Sequence, residues 1–524
     1  MQKLLASRKA LCAQTNGLNQ ILDGPAYATI IIDDKHACTL EPKYIRPDAP
    51  VAMPEHSVVS GISAEDLGWR AFFPDSQLQQ LIVLALANNR DLRVAALNVE
   101  TAQARYRIQR ANLFPTIAAS TTEQAERLPA SVLATSLPAG NTSAQGDIVS
   151  HSYTAGIGFT NFELDLFGRI RSLDHADLQQ YFNFEETRRS AQIALAAEVA
   201  NAYLAVLTDQ TLLVITRQTL QNQSDSYELT RKMVERGTAT ELALRQAEST
   251  VDTARANLAQ YSRALAQDRD ALQLLLGAYI PEGIDFSAGL ERPDVVSAVE
   301  EAIPSDVLVK RPDVLAAEHL LKAANADIGA ARAAFFPAIE LTGSLGSAST
   351  ELSGLFKHDS LAWTFAPQIS VPLFAGGANE ANLKAAKVAR DTAVAQYEKA
   401  IQIAFREVAD ALAARRCFDE QLAAQEALVR ASQDAYRLAQ MRVRGGVDNY
   451  LSELDAQRSL YDAQQQLQIV RLQRFENLVT LYKALGGGLH ENTALVQFRA
   501  ISGSQERHID RAGCTSSRSW SNCR

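Results

Sequence analysis

Two stretches set the pattern of the whole chain. From Arg169 to Arg236, and again from Ala378 to Arg444, apolar and small residues recur every three or four positions with no glycine or proline to break them. Ile193, Ala197, Ala200, Leu204 and Leu207 show the four-three spacing of a coiled-coil seam. Each stretch predicts one helix of about 67 residues, a rod of about 100 Å at 1.5 Å per residue. Each rod meets a glycine, Gly237 in the first case and Gly445-Gly446 in the second, and the helical period resumes until Gly277 or Gly486. That is a helical hairpin, twice.

Elsewhere the period changes to two. Leu361, Trp363, Phe365, Ile369, Val371 and Leu373 alternate with Thr364, Gln368 and Ser370. Tyr153, Ala155, Ile157 and Phe159 alternate with Thr154, Gly156, Gly158 and Thr160, and Ile339, Leu341 and Leu345 alternate with Glu340, Thr342 and Ser344. A weaker fourth strand begins after Pro115, at Ile117. Strands of about ten residues, with large apolar groups on one face and glycines and hydroxyls on the other, suit a transmembrane β-barrel. The same alternation would suit a soluble sheet packed on its own helices. Four strands cannot close a barrel, so a membrane reading requires several chains to share one.

The elements recur because the chain is duplicated. Asp91 to Pro115 matches Asp313 to Pro337 at a constant shift of 222, and Glu198 to Gly277 matches Glu407 to Gly486 at a shift of 209. Residues 38–280 and 307–492 are therefore expected to be two structural repeats, each with two strands and a helical hairpin, joined by a linker at 281–306. Residues 1–37 and 493–524 fall outside the repeats and are expected to be disordered.

Composition narrows the function. The chain has 524 residues, 47% of them hydrophobic, and a formal charge of −9 without a basic stripe, which argues against nucleic acid. No stretch approaches the roughly 20 apolar residues of a membrane-spanning helix; the longest candidate is Leu81 to Ala87. The five cysteines have neither metal-ligand spacing nor disulfide-framework density. No phosphate loop, zinc helix or histidine cluster is present, so neither catalysis nor a cofactor is expected.

The run from Val443 to Gly488, VRGGVDNYLSELDAQRSLYDAQQQLQIVRLQRFENLVTLYKALGGG, resembles the TolC-type outer membrane factor family. It is most similar to the lipoprotein branch serving resistance-nodulation-division efflux pumps. Phe114-Pro115 and Phe336-Pro337, the LDLFGRIR run at Leu164 to Arg171 and the VPLFAGG run at Val371 to Gly377 fit the same family. So do Cys38-Thr39-Leu40, Pro42, Tyr44, Arg46-Pro47 and Pro50, which resemble the start of a mature lipoprotein. The resemblance implies an α+β membrane protein: a homotrimer whose twelve strands, four per chain, form an outer-membrane barrel continuous with a long helical periplasmic barrel. It implies a passive duct for drugs or other small molecules, served by a periplasmic adaptor and an inner-membrane resistance-nodulation-division pump. A soluble coiled-coil scaffold, or a duct for protein secretion or metal-ion efflux, are the alternatives.

A duct needs a gate. Asp448, Ser452, Asp455, Ser459, Asp462 and Gln466 form a polar, acidic stripe at four-three spacing. Shifted back by 209, the first repeat offers Ala239, Ala243, Gln246, Thr250, Thr253 and Asn257, so the acid belongs to one hairpin only. Such a stripe would also serve as a plain solvated helix face. By resemblance, Asp455 constricts the periplasmic aperture with Arg458 and Arg442 as ionic partners, while Val443 stands where the family often has a tyrosine. Gly237, Thr238, Gly445, Gly446 and Val447 fall where the adaptor docks. Cys38 matches the lipidation site, although Asp33-Asp34-Lys35-His36-Ala37 is more polar than the box the lipidation machinery reads. Either Cys38 is an ordinary cysteine or the natural upstream stretch has been replaced.

Overall fold

The computed structural model describes residues 39–48, 68–129, 148–287, 289–291 and 309–487. Short helices α1 (Trp69–Phe72) and α2 (Ser76–Asn88) precede α3 (Arg90–Ala111), β1 (Ala118–Leu128) and β2 (Ile148–Glu163). The first hairpin follows as α4 (Arg169–Glu235) and α5 (Glu241–Leu276). The second half repeats the order with α6 (Pro312–Ala333), β3 (Ala338–Ser349), β4 (Leu361–Ser370), α7 (Ala378–Arg444) and α8 (Tyr450–Ala484). Both rods are 67 residues long, as the unbroken runs require.

The four strands form one antiparallel sheet in the order β1-β2-β3-β4, so β2 and β3 join the two halves. Pairing aligns Ala119, Ile157, Leu345 and Trp363 in one row on one face, and Ala118, Gly158, Ser344 and Thr364 in the next row on the other. The alternation read from sequence thus holds in β2, β3 and β4, whereas β1, AASTTEQAERL, carries no row of large apolar residues. Two details differ. β4 stops at Ser370 rather than Leu373, because Pro372 has no N–H to give a ladder. β2 runs for 16 residues and carries an irregularity between Phe159 and Phe162, where Asn161 takes the left-handed conformation that asparagine tolerates.

The main core lies where the hairpins meet the short N-terminal helices. Phe72 stacks on Tyr482 at 3.8 Å, and the seam residues Ile193, Ala197, Ala200, Leu204 and Leu207 are all buried. Sequence inspection missed that α4 includes an 18-residue window apolar enough to cross a membrane; 61% of it is buried inside the protein, so this is core. The duplication extends to the joints. Asn89, the N-cap of α3, donates to the carbonyl of Leu275 at 2.9 Å, and its counterpart Arg311 donates to Ala484, the counterpart of Leu275, at 2.8 Å. Arg311 is buried and paired with Asp313 and Glu407, each at 2.7 Å.

Asp209, within the first hairpin, is pushed up to about 6 by burial and by the neighbouring Asp268 carboxylate. A raised acid is penalised once it must ionise, so its contribution to stability falls as pH rises from about 4, the unfolded value, to about 6. Asp209→Asn is therefore expected to unfold at higher temperature than the parent at pH 7.5 and at the same temperature at pH 4. Thermal melts at the two pH values check this; an equal gain at both would assign the effect to packing alone.

Candidate gate and docking tips

Both hairpins turn by the same device. Gly237 and Gly446 adopt φ of 74° and 69°, a conformation that side chains resist. Around Gly237, Thr238 N–H bonds the carbonyl of Met233 at 2.9 Å and Gly237 N–H that of Val234 at 2.8 Å. Around Gly446, Val447 N–H bonds Arg442 and Gly446 N–H bonds Val443, both at 3.0 Å. These are the paired closures that satisfy a helix C-terminus. The returning helices start on Thr240 and Asn449, whose side chains accept from Ala243 and Ser452 N–H at 3.2 Å. Gly445 sits in the ordinary right-handed region, so only Gly446 is demanded by the turn.

The tips carry something the motif search did not single out. Leu229 and Leu242 flank the first tip, and Leu438 and Leu451, their counterparts at a shift of 209, flank the second; all four are exposed. The signal was present in the repeat itself, which keeps leucine at both positions where a soluble rod would carry polar residues. Thr238 and Val447 are exposed beside them.

On α8 the acidic stripe forms a continuous surface. Ser452, Asp455, Ser459, Asp462 and Gln466 are exposed, whereas Leu454, Gln457, Tyr461 and Leu467 on the other side are buried. Arg458 Nη1 lies 3.9 Å from Asp455 Oδ1, a loose pair between exposed groups. Arg442 does not reach Asp455 within the chain. It forks onto Asp448 across the turn, Nε to Oδ2 at 2.6 Å and Nη2 to Oδ1 at 2.9 Å, because both lie at the ends of the same tight loop. Those hydrogen bonds hold the Asp448 carboxyl below the usual carboxylate range.

Tyrosines link the two hairpins above the tips. The Tyr461 hydroxyl bonds Thr216 of α4 at 2.9 Å and accepts from Asn257 of α5 at 3.2 Å. Nearer the tip, the Tyr450 hydroxyl bonds Ser226 of α4. Burial pushes the Tyr450 phenol up, so it stays protonated and able to donate.

At the other end of the rods the segment after Thr39 lies along α6 as a strap. Arg332 donates to the Leu40 carbonyl at 3.1 Å and Asn325 to the Pro42 carbonyl at 2.8 Å. Glu41 bonds His175 at 3.0 Å; Tyr44 and Arg46 bond the buried Glu318 at 3.1 and 2.5 Å. Gly329 makes the notch, since a Cβ there would lie 2.5 Å from the Glu41 side chain and 2.6 Å from Ser172. Cys38 lies outside the described residues, as do 1–37 and 493–524.

A rod-and-strand protein with this duplication matches known proteins over most of its length. Residues 81–278 and 303–487 match the family model for outer membrane efflux proteins. The chain belongs to that family. It is 48% identical over 463 residues to the antibiotic efflux pump outer membrane protein ArpC of Pseudomonas putida, covering 87% of this chain and 94% of ArpC. The toluene efflux pump outer membrane protein TtgC of the same species matches with the same identity and coverage. Among solved structures, the open-state MtrE outer membrane channel of Neisseria gonorrhoeae superposes with a TM-score of 0.77 at 41% identity, covering 87% of this chain and all of that one.

As an outer membrane efflux protein, the chain forms a trimeric channel: an outer-membrane barrel to which each chain gives its four strands, continuous with a helical barrel in the periplasm of a Gram-negative bacterium. It is the outer-membrane channel of a tripartite efflux system, working with an inner-membrane pump and a periplasmic adaptor. The large apolar row of the sheet then faces lipid and the small polar row faces water. The soluble-scaffold alternative is set aside by this membership.

Proposed function

We propose that the efflux duct is shut at its periplasmic end by the tip of the second hairpin, with Asp455 of the three chains forming the narrowest ring. The observation that carries this reading is the exposed acidic face of α8, opposite a buried apolar face and absent from the corresponding positions of α5. Three like charges around a wet axis attract cations and resist closer approach, so a ring needs Arg458 beside it to remain narrow. Ser452 and Asp462 continue the lining one or two turns along the helix. The Arg442–Asp448 fork stiffens the tip, and Tyr450 and Tyr461 hold the second hairpin against the first while the duct is at rest.

The adaptor docks at the two tips of each chain, on Gly237-Thr238 and Gly445-Gly446-Val447 between the exposed leucines. The pump that drives it is of the resistance-nodulation-division class. The exported molecules are small and apolar or amphiphilic, in keeping with the antibiotic and toluene pumps that ArpC and TtgC serve. Cys38 carries the lipid anchor; the strap that begins at Thr39 is fixed to α6 through Arg332, close to the start of β3. Residues 38–280 and 307–492 act as the two repeats of each protomer, with 281–306 as their linker.

Planar-bilayer recording tests the gate. The parent is expected to give steady, low, cation-selective conductance, and Asp455→Ala a several-fold larger conductance with weaker cation selectivity. Channels that keep the parent conductance and selectivity after this substitution would move the constriction off Asp455.

A further inference from the structure

We propose that the strap is held by a proton-operated latch, in which Glu41, His175, Gln179 and His319 form one chain of hydrogen bonds that takes up a single proton and thereby fastens the strap more firmly onto α4.

The chemistry of the four groups fixes the direction of every bond. An ionised carboxylate only accepts, so His175 Nδ1, 3.0 Å from Glu41 Oε2, donates. In the neutral ring Nε2 is then the acceptor, and it faces Gln179 Nε2 at 3.2 Å. That sets the amide with Oε1 toward His319, whose Nδ1 donates to it at 2.7 Å. The chain runs from the strap through α4 to α6, and each donor meets an acceptor. Gln179 is buried, and His319 packs beside Phe182 with ring centroids 5.3 Å apart. The device is built once, where the strap lies. At the repeat shifts of 209 and 222, Lys384, Val388 and Leu97 stand in place of His175, Gln179 and His319.

A proton added to His175 Nε2 faces the Gln179 amino group, donor against donor. Turning the amide over restores the bond, provided that His319 carries its proton on Nε2 and accepts at Nδ1. The chain therefore holds one imidazolium and not two. Burial and the Lys322 ammonium push His319 down, against the Glu318 and Glu185 carboxylates, which leaves the charge to His175. The Glu41 bond then becomes an ion pair between side chains only 12% and 29% exposed, where water screens it weakly. The fastened strap thus binds a proton more tightly than the loose one. Its hold strengthens as pH falls through the histidine range and is lost below about pH 4, where Glu41 itself is protonated.

The surrounding charges separate this latch from the strap's other bonds. Although buried, Glu318 is held below the usual carboxylate range by Lys322 and Arg46, so the Tyr44 and Arg46 bonds do not change in this window. Tyr397 of α7, beside Arg46, is pushed up by burial and stays neutral. On α4, burial pushes up Asp174 and Asp177, against Arg110 and Arg105 of α3. Asp327 of α6 is pushed up by burial and by Asp177 and Glu41. Neutralising Asp327 in acid also eases Glu41, so the test needs a variant that removes the His175 proton alone.

Trypsin reads the latch, because the strap offers it the exposed Lys43. Purified full-length trimers are digested at pH 8 and at pH 6, and cleavage after Lys43 is scaled to that of an unstructured peptide with the same Lys-Tyr bond. The parent is expected to be cut several-fold more slowly at pH 6. His175→Gln keeps an amide that can donate to Glu41 and cannot ionise, so its scaled rate should be the same at both pH values. Glu41→Gln, a change outside the helices, should flatten the profile too and serves if His175→Gln fails to assemble. His319→Gln can still exchange donor for acceptor with a turned Gln179 amide and should keep the parental response. A parent cut at the same scaled rate at both pH values, or a response that survives His175→Gln or Glu41→Gln, overturns the proposal.

Discussion

A chain carrying Leu229→Glu and Leu438→Glu is expected to insert as intact trimers with parental bilayer conductance, and yet to restore no drug resistance to a cell lacking its own outer-membrane channel. The leucines are exposed on rods whose surface is otherwise mostly polar, and they repeat at both tips. Covering one leucine against a partner contributes about 1.5–3 kcal/mol, and a factor of ten in affinity is about 1.4 kcal/mol. A glutamate in its place loses that contribution and adds the cost of removing a charge from water. With two tips in each of three chains, the deficits compound and productive assembly with the adaptor is lost. Surface glutamates on an exposed helix cost the fold itself little. Minimum inhibitory concentrations in the complemented strain, read beside the amount of trimer, give the answer. Full resistance from the double variant would take the docking surface away from these leucines.

Gly346→Val is expected to abolish assembly, leaving no heat-resistant trimer in the outer membrane. A side chain at Gly346 would collide with the carbonyl oxygen of Ala155 and press on the backbone of Gly156. Gly156 in turn has the Leu345 carbonyl 2.7 Å from where its own Cβ would be, and Gly158 the Gly343 carbonyl at 2.6 Å. The two strands that join the halves thus approach too closely for side chains at these points, and backbone atoms in a ladder cannot move aside. Overpacking costs about 1–3 kcal/mol even where side chains can adjust, and here it is repeated three times around one barrel. Ser344→Ala, on the same face of β3 one pair away, should assemble normally. The contrast is read as heat-stable trimer on gels from membrane fractions; equal yields would show that the β2–β3 approach relaxes readily.

Much of this was legible along the chain because the signals are local. Helix ends at Gly237, Gly277, Gly446 and Gly486 follow from the residue type that takes the left-handed turn at least cost. The acidic stripe of Asp455 and the coiled-coil seam near Leu204 are periodicities; the first is exposed along α8 and the second is buried. The end of β4 was missed because alternation continued past Pro372 while the hydrogen bonds could not. The bond of Arg442 to Asp448 was not read because sequence spacing does not show that a tight turn brings the two together.

The sequence by itself determined the rods, their turns, the strand faces and the twofold repeat, since each depends on neighbours within a few residues or on comparison of the chain with itself. Only the tertiary structure decided the sheet order through β2 and β3, the tyrosine links between hairpins and the strap held by Glu318. Those contacts join residues 224, 245 and 272 positions apart for Tyr450–Ser226, Tyr461–Thr216 and Arg46–Glu318. Which distant groups meet is set by how whole elements pack, and a local pattern carries no record of that choice.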